Sequence, residues 1–444
     1  MRSGQAEEGP AGVPCGAKQA GDARDWKWAE PSVWTERMLT ALESGVQGGC
    51  WFSLIDKVAS VKALRAAFER VKRNRGAAGV DHVTVEMFAA RLEENLDKLS
   101  RSLVDGTYRP QAILRRWIPK AGTNEKRPLG IPTVRDRVVQ TALRNVLEPI
   151  FERDFAGTSY GFRPGRGCHD ALRRVDELLG VGQTWVVDAD LRSFFDTMSH
   201  EVLMERVRQK VADGKALRLI EAFLGQELME GLEGWEPEEG TPQGAVISPL
   251  LSNIYLDPLD HRMVKKGVQM IRYADDFVIL CRNEEEAQAA LREVQEWATS
   301  VGLSLHPEKT RIVDATQRGG FDFLGYHFER GLKWPRKKST QKLRGTVREK
   351  TKRTNGQSLE TIVSDLNGTL RGWFVYFQYS HPTTFPRLDS WVRMRLRSIL
   401  RKRQGRKGRG AGWDNQRWTN DFFIACGLFS LVASHQAIRR SSSR

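Results

Sequence analysis

Tyr273-Ala274-Asp275-Asp276 stands between two apolar runs, VQMIRY and FVILCR, and so sets two adjacent acids at the tip of an apolar hairpin. Burying carboxylates without partners costs several kcal/mol each, so such a pair requires cations or exposure at the turn. Taken alone, the four letters fit equally well an ordinary hairpin turn in which Asp serves the turn's own chemistry. A third acid decides between the two. Asp190 ends the run WVVDADL about 85 residues earlier and is followed by Phe194-Phe195-Asp196. Three carboxylates drawn from adjacent strands make a hard-oxygen donor set for two Mg²⁺ ions about 3.5–4 Å apart. Such ions lower the pKa of an attacking 3′-hydroxyl and neutralise a leaving pyrophosphate. Asp188, two residues before Asp190, shares its strand face; it is a candidate outer ligand, with a structural role the stronger expectation. Asp196 is expected to cap the helix that follows.

These acids require strands to hold them. Residues 185–191, 270–273 and 277–281 read as short apolar strands, with helices filling about 200–230 and 284–301, which makes the middle of the chain α/β or α+β. Ahead of it, apolar residues recur at three and four from 61 to 103 (Leu64, Phe68, Val71, then Phe88, Leu92, Leu96, Leu99), giving two or three helices around the turn 76–79. Residues 113–119 are extended and basic, 120–126 form a polar turn, and a helix runs over about 136–151. The first 24 residues, small and polar with no apolar period, read as a flexible leader. After Gly331 the texture changes to basic helices, with Leu359, Ile362, Val363 and Leu366 on one face and Leu370, Trp373, Phe374 and Phe377 on another, which places a domain boundary near 330.

The 444 residues carry 70 Lys and Arg against 55 Asp and Glu, a net charge of +15, and 40% are hydrophobic. That composition excludes collagens, coiled coils and short disulfide scaffolds. No apolar run is long enough to span a membrane or serve as a secretory signal, and the five cysteines stand far apart, so a cytoplasmic protein with reduced thiols and no cysteine zinc site is expected. The charge is uneven: residues 321–444 hold 26 Lys and Arg against 8 Asp and Glu, leaving 44 against 47 in the first 320. A cationic arm on a near-neutral body suits a polyanion, and the interleaved Trp334, Trp373, Trp391, Trp413 and Trp418 offer stacking or packing surfaces. A solvated cationic face is the plainer alternative.

Further blocks occur in a telling order: RGAAGVD and GTYRP at 75–110, IPK and RPLGIPTVRDRVVQ within 118–140, and SYGFRPGRGCHDAL at 159–172. DADLRSFFDTMSH, GTPQGAVISPLLSNIYLDPLD, YADD, GLSLHPEKT and FDFLGY follow, then LNGTLRGWFVYF and LDSWVRMRLR. Together they resemble the bacterial group II intron reverse transcriptase/maturase family over about residues 60–440. The resemblance implies an α+β right-hand polymerase, with helical fingers (61–175), an antiparallel-sheet palm (176–330) and an α-helical basic thumb or maturase domain (331–402). A leader (1–24) and an N-terminal extension (25–60) precede the fingers, and a short basic DNA-binding segment (403–444) follows the thumb.

Residue by residue, the resemblance makes Asp190, Asp275 and Asp276 the catalytic ligands of two Mg²⁺ ions. Tyr273 would position the primer end, and Phe195 would stack under the deoxyribose and exclude a 2′-hydroxyl. Lys120 and Arg127 would grip the triphosphate of the incoming dNTP, and Gln243 with Gly244 would line its pocket. Lys309 would be a general acid toward pyrophosphate. Arg371, Arg393, Arg397, Arg401, Lys402, Arg403, Arg406 and Lys407 would contact nucleic acid. The implied partners are intron RNA, template RNA, a DNA primer or target and dNTPs, with no membrane, in a bacterial cytoplasm near the nucleoid. The family's zinc endonuclease, with its paired cysteines, has no counterpart, which resembles the class C introns. Packing on the fingers and contact with intron RNA are both open for the extension. Two other classes stand beside this one: a related polymerase serving repair, phage defence or spacer acquisition, and a splicing factor with a vestigial polymerase site.

Overall fold

A computed structural model describes residues 26–46, 48–119, 126–231, 233–235, 237–406, 408 and 412–442. The expected leader, Lys120 and Lys407 lie outside these residues, and Arg127 lies in a strand without its side chain being described. Among the described residues the strands are, in chain order, β1 (Ile113–Pro119), β2 (Lys126–Ile131), β3 (Trp185–Asp190), β4 (Leu228–Glu230), β5 (Glu233–Trp235), β6 (Gln269–Tyr273), β7 (Asp276–Cys281), β8 (Arg311–Asp314), β9 (Phe321–Phe323), β10 (Tyr326–Glu329) and β11 (Leu332–Pro335).

The palm sheet has the order β6-β7-β3-β8, and every pairing in it is antiparallel. After Asp276, β7 is buried at five consecutive residues, as a central strand covered on both faces must be. One face (Val186, Ile271, Val278, Leu280) packs on helix Cys168–Gly180 and on Phe321, Phe323 and Phe328 of the small sheet β11-β10-β9. The other (Val187, Ala189, Met270, Phe277, Ile279) packs on helices Glu284–Ser300 and Ser248–Lys265 in the main core. Asn283 starts the first of these helices, accepting from Glu286 N at 2.8 Å, and three glutamates fill its first turn, where the helix dipole favours anions.

The fingers centre on helix Val134–Glu152, begun by Thr133, whose hydroxyl accepts from Asp136 N. It is buried nearly all round, and two of its buried side chains tie it to neighbouring segments: Gln140 Oε1 accepts from Val246 N at 2.8 Å, and Asp136 accepts from the Tyr108 hydroxyl at 2.5 Å and Gln111 N at 3.0 Å. A second sheet, β2-β1-β4-β5, stands beside it. Its hairpin β4–β5 corrects the expectation of helix through residue 230. The helix stops at Leu224, and the glycine-rich stretch that follows turns at Gly231 with φ +67°. The N-terminal extension packs against the body of the protein. Trp34, Leu42, Leu54 and Val58 enter the main core, Trp34 Nε1 donates to the Asn145 carbonyl at 2.9 Å, and Trp51 pairs by backbone with Lys210 and Ala212.

Two boundaries also move. The small sheet β11-β10-β9 runs across residue 330, so the thumb begins at helix Lys337–Lys350. The two apolar faces read over 359–377 are one stripe of a single helix, Leu359–Phe377. Among the described residues, those beyond 403 do not stand apart from the thumb: Trp418, Phe423 and Leu431 share one core with Leu366, Leu388 and Leu396. Asp389 fixes this junction by accepting from Leu431 N at 3.1 Å, Val432 N at 3.2 Å and Ser430 Oγ at 2.8 Å.

Candidate active site

Register brings the acids together. In the β3–β7 pairing Asp190 lies directly opposite Asp276, and Asp188 lies opposite Val278 on the same face. β6 and β7 are joined by the two-residue turn Ala274-Asp275, closed by the Tyr273 and Asp276 pair. Ala274 takes the left-handed region, with φ +60°. Asp190, Asp275 and Asp276 therefore lie at one end of the palm sheet.

Electrostatics marks the spot. The Asp276 carboxyl is pushed up to about 7, first by desolvation and then by the charges of Asp188, Asp275 and Asp190. Asp188 is also raised, chiefly by burial, against the pull of Arg311 Nε at 3.2 Å. Lys309 Nζ lies 2.6 Å from Asp190 Oδ2. Among the described residues no three Asp, Glu, His or Cys side chains already converge at ligand spacing; Asp190 is paired with Lys309 instead. The donor set nevertheless fits a divalent cation. All donors are hard oxygens, their mutual repulsion calls for positive charge, and an ammonium group already stands on one of them.

A cleft of about 240 Å³ opens where the Phe195–Asp196 turn, the GTPQG loop and the β2-β1-β4-β5 sheet meet, lined by Phe195, Gln243, Gly240, Gly130 and Trp235 among others. Phe195 is half-buried and braced edge-on by Phe194, at 5.3 Å between ring centres. The Gln243 carbonyl accepts from Gly130 N of β2 at 2.7 Å, tying the palm's GTPQG loop to the fingers. Gly244, at φ +113°, has no room for a side chain, since a Cβ there would stand 2.4 Å from the Gly130 carbonyl. At the rim the Arg115 guanidinium lies between the rings of Trp117 and Trp235, at 4.7 and 5.1 Å. Tyr273 is half-buried beside Phe162, its phenol pushed up to about 12 by burial and a hydrogen bond with Cys168. Asp196 is not the expected cap. It sits inside the short helix Phe194–Thr197, and Ser199 starts the next helix by accepting from Val202 N.

The thumb cations divide. Arg371, Lys402, Arg403 and Arg406 are exposed. Arg397 contradicts its expected contact with nucleic acid: it is 6% exposed, donates from Nε to the Trp418 carbonyl at 2.8 Å and lies over the Phe423 ring. The C-terminal helices cover the face from which it was expected to reach out. Arg401 is engaged with the buried Asp414 at 2.6 Å, and Arg393 is half-buried with Asp389 4.0 Å away. Four residues that matter to the acid turn were missed from sequence: Gly161, Asn253, Asp260 and Arg272. The signal was present, since an arginine inside QMIRY and polar residues on the buried side of an apolar helix must find one another.

A right-handed arrangement of fingers, acid-bearing palm and basic thumb defines a nucleic-acid polymerase, and comparison agrees. Residues 118–328 match the family described as reverse transcriptase (RNA-dependent DNA polymerase), and 340–418 match the group II intron, maturase-specific domain. Protein YkfC of Escherichia coli is 37% identical over 57% of this chain and 76% of its own length. The group II intron-encoded protein LtrA of Lactococcus lactis is 31% identical over 67% of this chain and 58% of its own length, so this chain spans less than two thirds of that relative. A solved partial Cas6-RT-Cas1–Cas2 complex matches 56% of this chain and 41% of that one at 26% identity, with a TM-score of 0.36. The chain belongs to the group II intron reverse transcriptase/maturase family, whose polymerase domain generally uses divalent metal ions.

Proposed function

We propose that this chain copies intron RNA into DNA by nucleotidyl transfer, in the service of retrohoming, and binds the same RNA as a maturase that assists splicing. The observation that carries the reading is the register of Asp190 opposite Asp276, with Asp275 in the adjoining turn; a cleft lined by Phe195 and Gln243 supplies a place for a nucleotide. Asp190, Asp275 and Asp276 would hold two Mg²⁺ ions, which supply activation of a primer 3′-hydroxyl and neutralisation of the leaving pyrophosphate. The chain's own side chains do the rest. Phe195 supports the deoxyribose and leaves no space for a 2′-hydroxyl, Gln243 and Gly244 line the nucleotide's place, and Tyr273 steadies the primer end. Lys120 and Arg127 hold the triphosphate, and Lys309, once parted from Asp190, is placed to give a proton to pyrophosphate.

The partners are intron RNA, an RNA template, a DNA primer or target and dNTPs, met in the bacterial cytoplasm at the nucleoid. Among the described residues no helix is long and apolar enough to cross a membrane. The test is Asp275→Ala. Primer extension on an RNA template should fall by at least about 10³-fold, while intron RNA binding and splicing assistance stay near wild type. A variant that still extends overturns the metal assignment.

A further inference from the structure

We propose that Arg272, Asp260 and Asn253 form a buried positioning clamp, which holds the Ala274-Asp275 turn in the one conformation that brings its acids to Asp190. The inference deepens, and rests on, the reading of Asp190, Asp275 and Asp276 as metal carboxylates. Arg272 is 1% exposed, Asp260 0% and Asn253 1%, so all three are sealed from water. Arg272 Nε donates to both Asp260 oxygens at 2.8 and 3.1 Å, and its Nη2 also pairs with Asp260. Its remaining arm, Nη1, donates to Asn253 Oδ1 at 3.0 Å and to the carbonyl of Ala274 itself at 2.9 Å. Asn253 Nδ2 donates to the Gly161 carbonyl at 2.9 Å. The main chain repeats the connection, Arg272 N to Thr158 O at 3.0 Å and Tyr160 N to Arg272 O at 2.8 Å. Gly161 lies so close to the turn that a Cβ there would stand 2.2 Å from Ala274 N.

Two physical facts turn this description into a role. A buried arginine–aspartate pair is a poor way to gain stability, because apolar residues of the same volume usually do as well or better. The flanking β6 residues Met270 and Ile271 show that this core accepts them. An alanine at φ +60° is unfavourable and persists only where its surroundings over-determine it. The clamp ends on that alanine's carbonyl, in the peptide leading into Asp275, and Gly161 lies close against its amide, in the peptide leading out of Tyr273, so Ala274 is held at both of its flanking peptides. The guanidinium fork is what allows one side chain to reach a carboxylate, an amide and the turn at once.

The experiment compares full-length Asn253→Ala and Arg272→Lys with wild type; the lysine keeps a charge opposite Asp260 and gives up the fork. Mn²⁺ affinity is read by EPR without nucleic acid, and kcat and KM for dTTP are read on poly(rA)/oligo(dT), with melting curves to establish folding. Both variants should bind Mn²⁺ about 10- to 100-fold more weakly and lose kcat by a similar factor, with KM for dTTP and affinity for RNA within about twofold of wild type. Ser252→Ala, equally buried and next along the helix, should change neither quantity, which separates positioning from general loosening. A folded Asn253→Ala or Arg272→Lys with unchanged Mn²⁺ affinity and kcat overturns the clamp, as does an equal loss in Ser252→Ala. In either case the metal reading survives if Asp275→Ala abolishes Mn²⁺ binding. If Asp275→Ala still binds Mn²⁺ normally, the metal reading falls and takes the clamp with it.

Discussion

The palm places four acids at one end of an antiparallel sheet, whereas the thumb spreads a surplus of lysine and arginine over helices that pack on several sides. In the palm a side chain's direction follows from strand period and register, so Asp188, Asp190 and Asp276 necessarily share a face once β3 and β7 pair. In the thumb, direction depends on which stripe of each helix is covered, and by what. Arg397 and Lys402 lie on the same helix, yet one is sealed under the C-terminal segment and the other stands in water. Charge can thus be read as a total long before it can be read as a surface.

The sharpest way to break this contrast is to disturb the palm without touching an acid. In Gly161→Ala the added Cβ meets backbone, Ala274 N at 2.2 Å and the Tyr273 carbonyl carbon at 2.8 Å, so the turn itself must move. Displacing reacting groups by about 1 Å can cost about 10²-fold, and primer extension should fall by that order while intron RNA affinity stays within about twofold. Extension at the wild-type rate would show that the acid turn tolerates displacement.

The same contrast explains how much could be read in advance. YADD and Asp190 were legible because acids interrupting apolar strands have few places to go, and the helix over 136–151 because its apolar period is long. Asp196 as a cap was the natural expectation, but Ser199 stands at the true start of the helix, one short helical turn later. The hairpin β4–β5 was hidden because its strands are three residues each and its pairing partner, β1, lies more than a hundred residues away. The fate of Arg397 depended on Trp418 and Phe423, contacts that no local pattern announces. Arg272 differs from these, since a charge inside a strand already demands a buried partner, and the polar residues of helix Ser248–Lys265 were available to supply one.

Within the thumb, two kinds of arginine should give two kinds of defect. Arg397→Ala removes a buried guanidinium that satisfies the Trp418 carbonyl and packs on Phe423, and should cost about 2–3 kcal/mol of stability, seen as a lower urea midpoint. Replacing Lys402, Arg403 and Arg406 together with glutamine should leave that midpoint within about 0.5 kcal/mol. It should instead flatten the dependence of log K on log salt for RNA by about 2, at roughly 0.7 for each lost phosphate contact. If Arg397→Ala keeps full stability and flattens the slope, the covered and open faces have been assigned the wrong way round.

The smallest effect tests whether the palm acids sense one another. Burial and neighbouring charges push the Asp276 carboxyl up to about 7, well above the ordinary carboxylate value of 3.8. A raised carboxyl holds its proton more tightly in the folded state, so its contribution to stability is complete below about pH 3.8 and is lost as pH climbs to 7. A cation bound at this site must displace that proton. Mn²⁺ affinity of the free protein should therefore rise about tenfold per pH unit from 5.5 to about 7 and then level off. Asp188→Asn removes one of the like charges without removing a proposed ligand, and should move the break to lower pH by a fraction of a unit. A break that stays in place would mean that the Asp188 charge does not act on Asp276, and an affinity independent of pH across this range would mean that Asp276 is already ionised. Either result would take the palm from a mutually repelling cluster toward separate acids, and so closer to the thumb, its charges near one another in space but independent in energy.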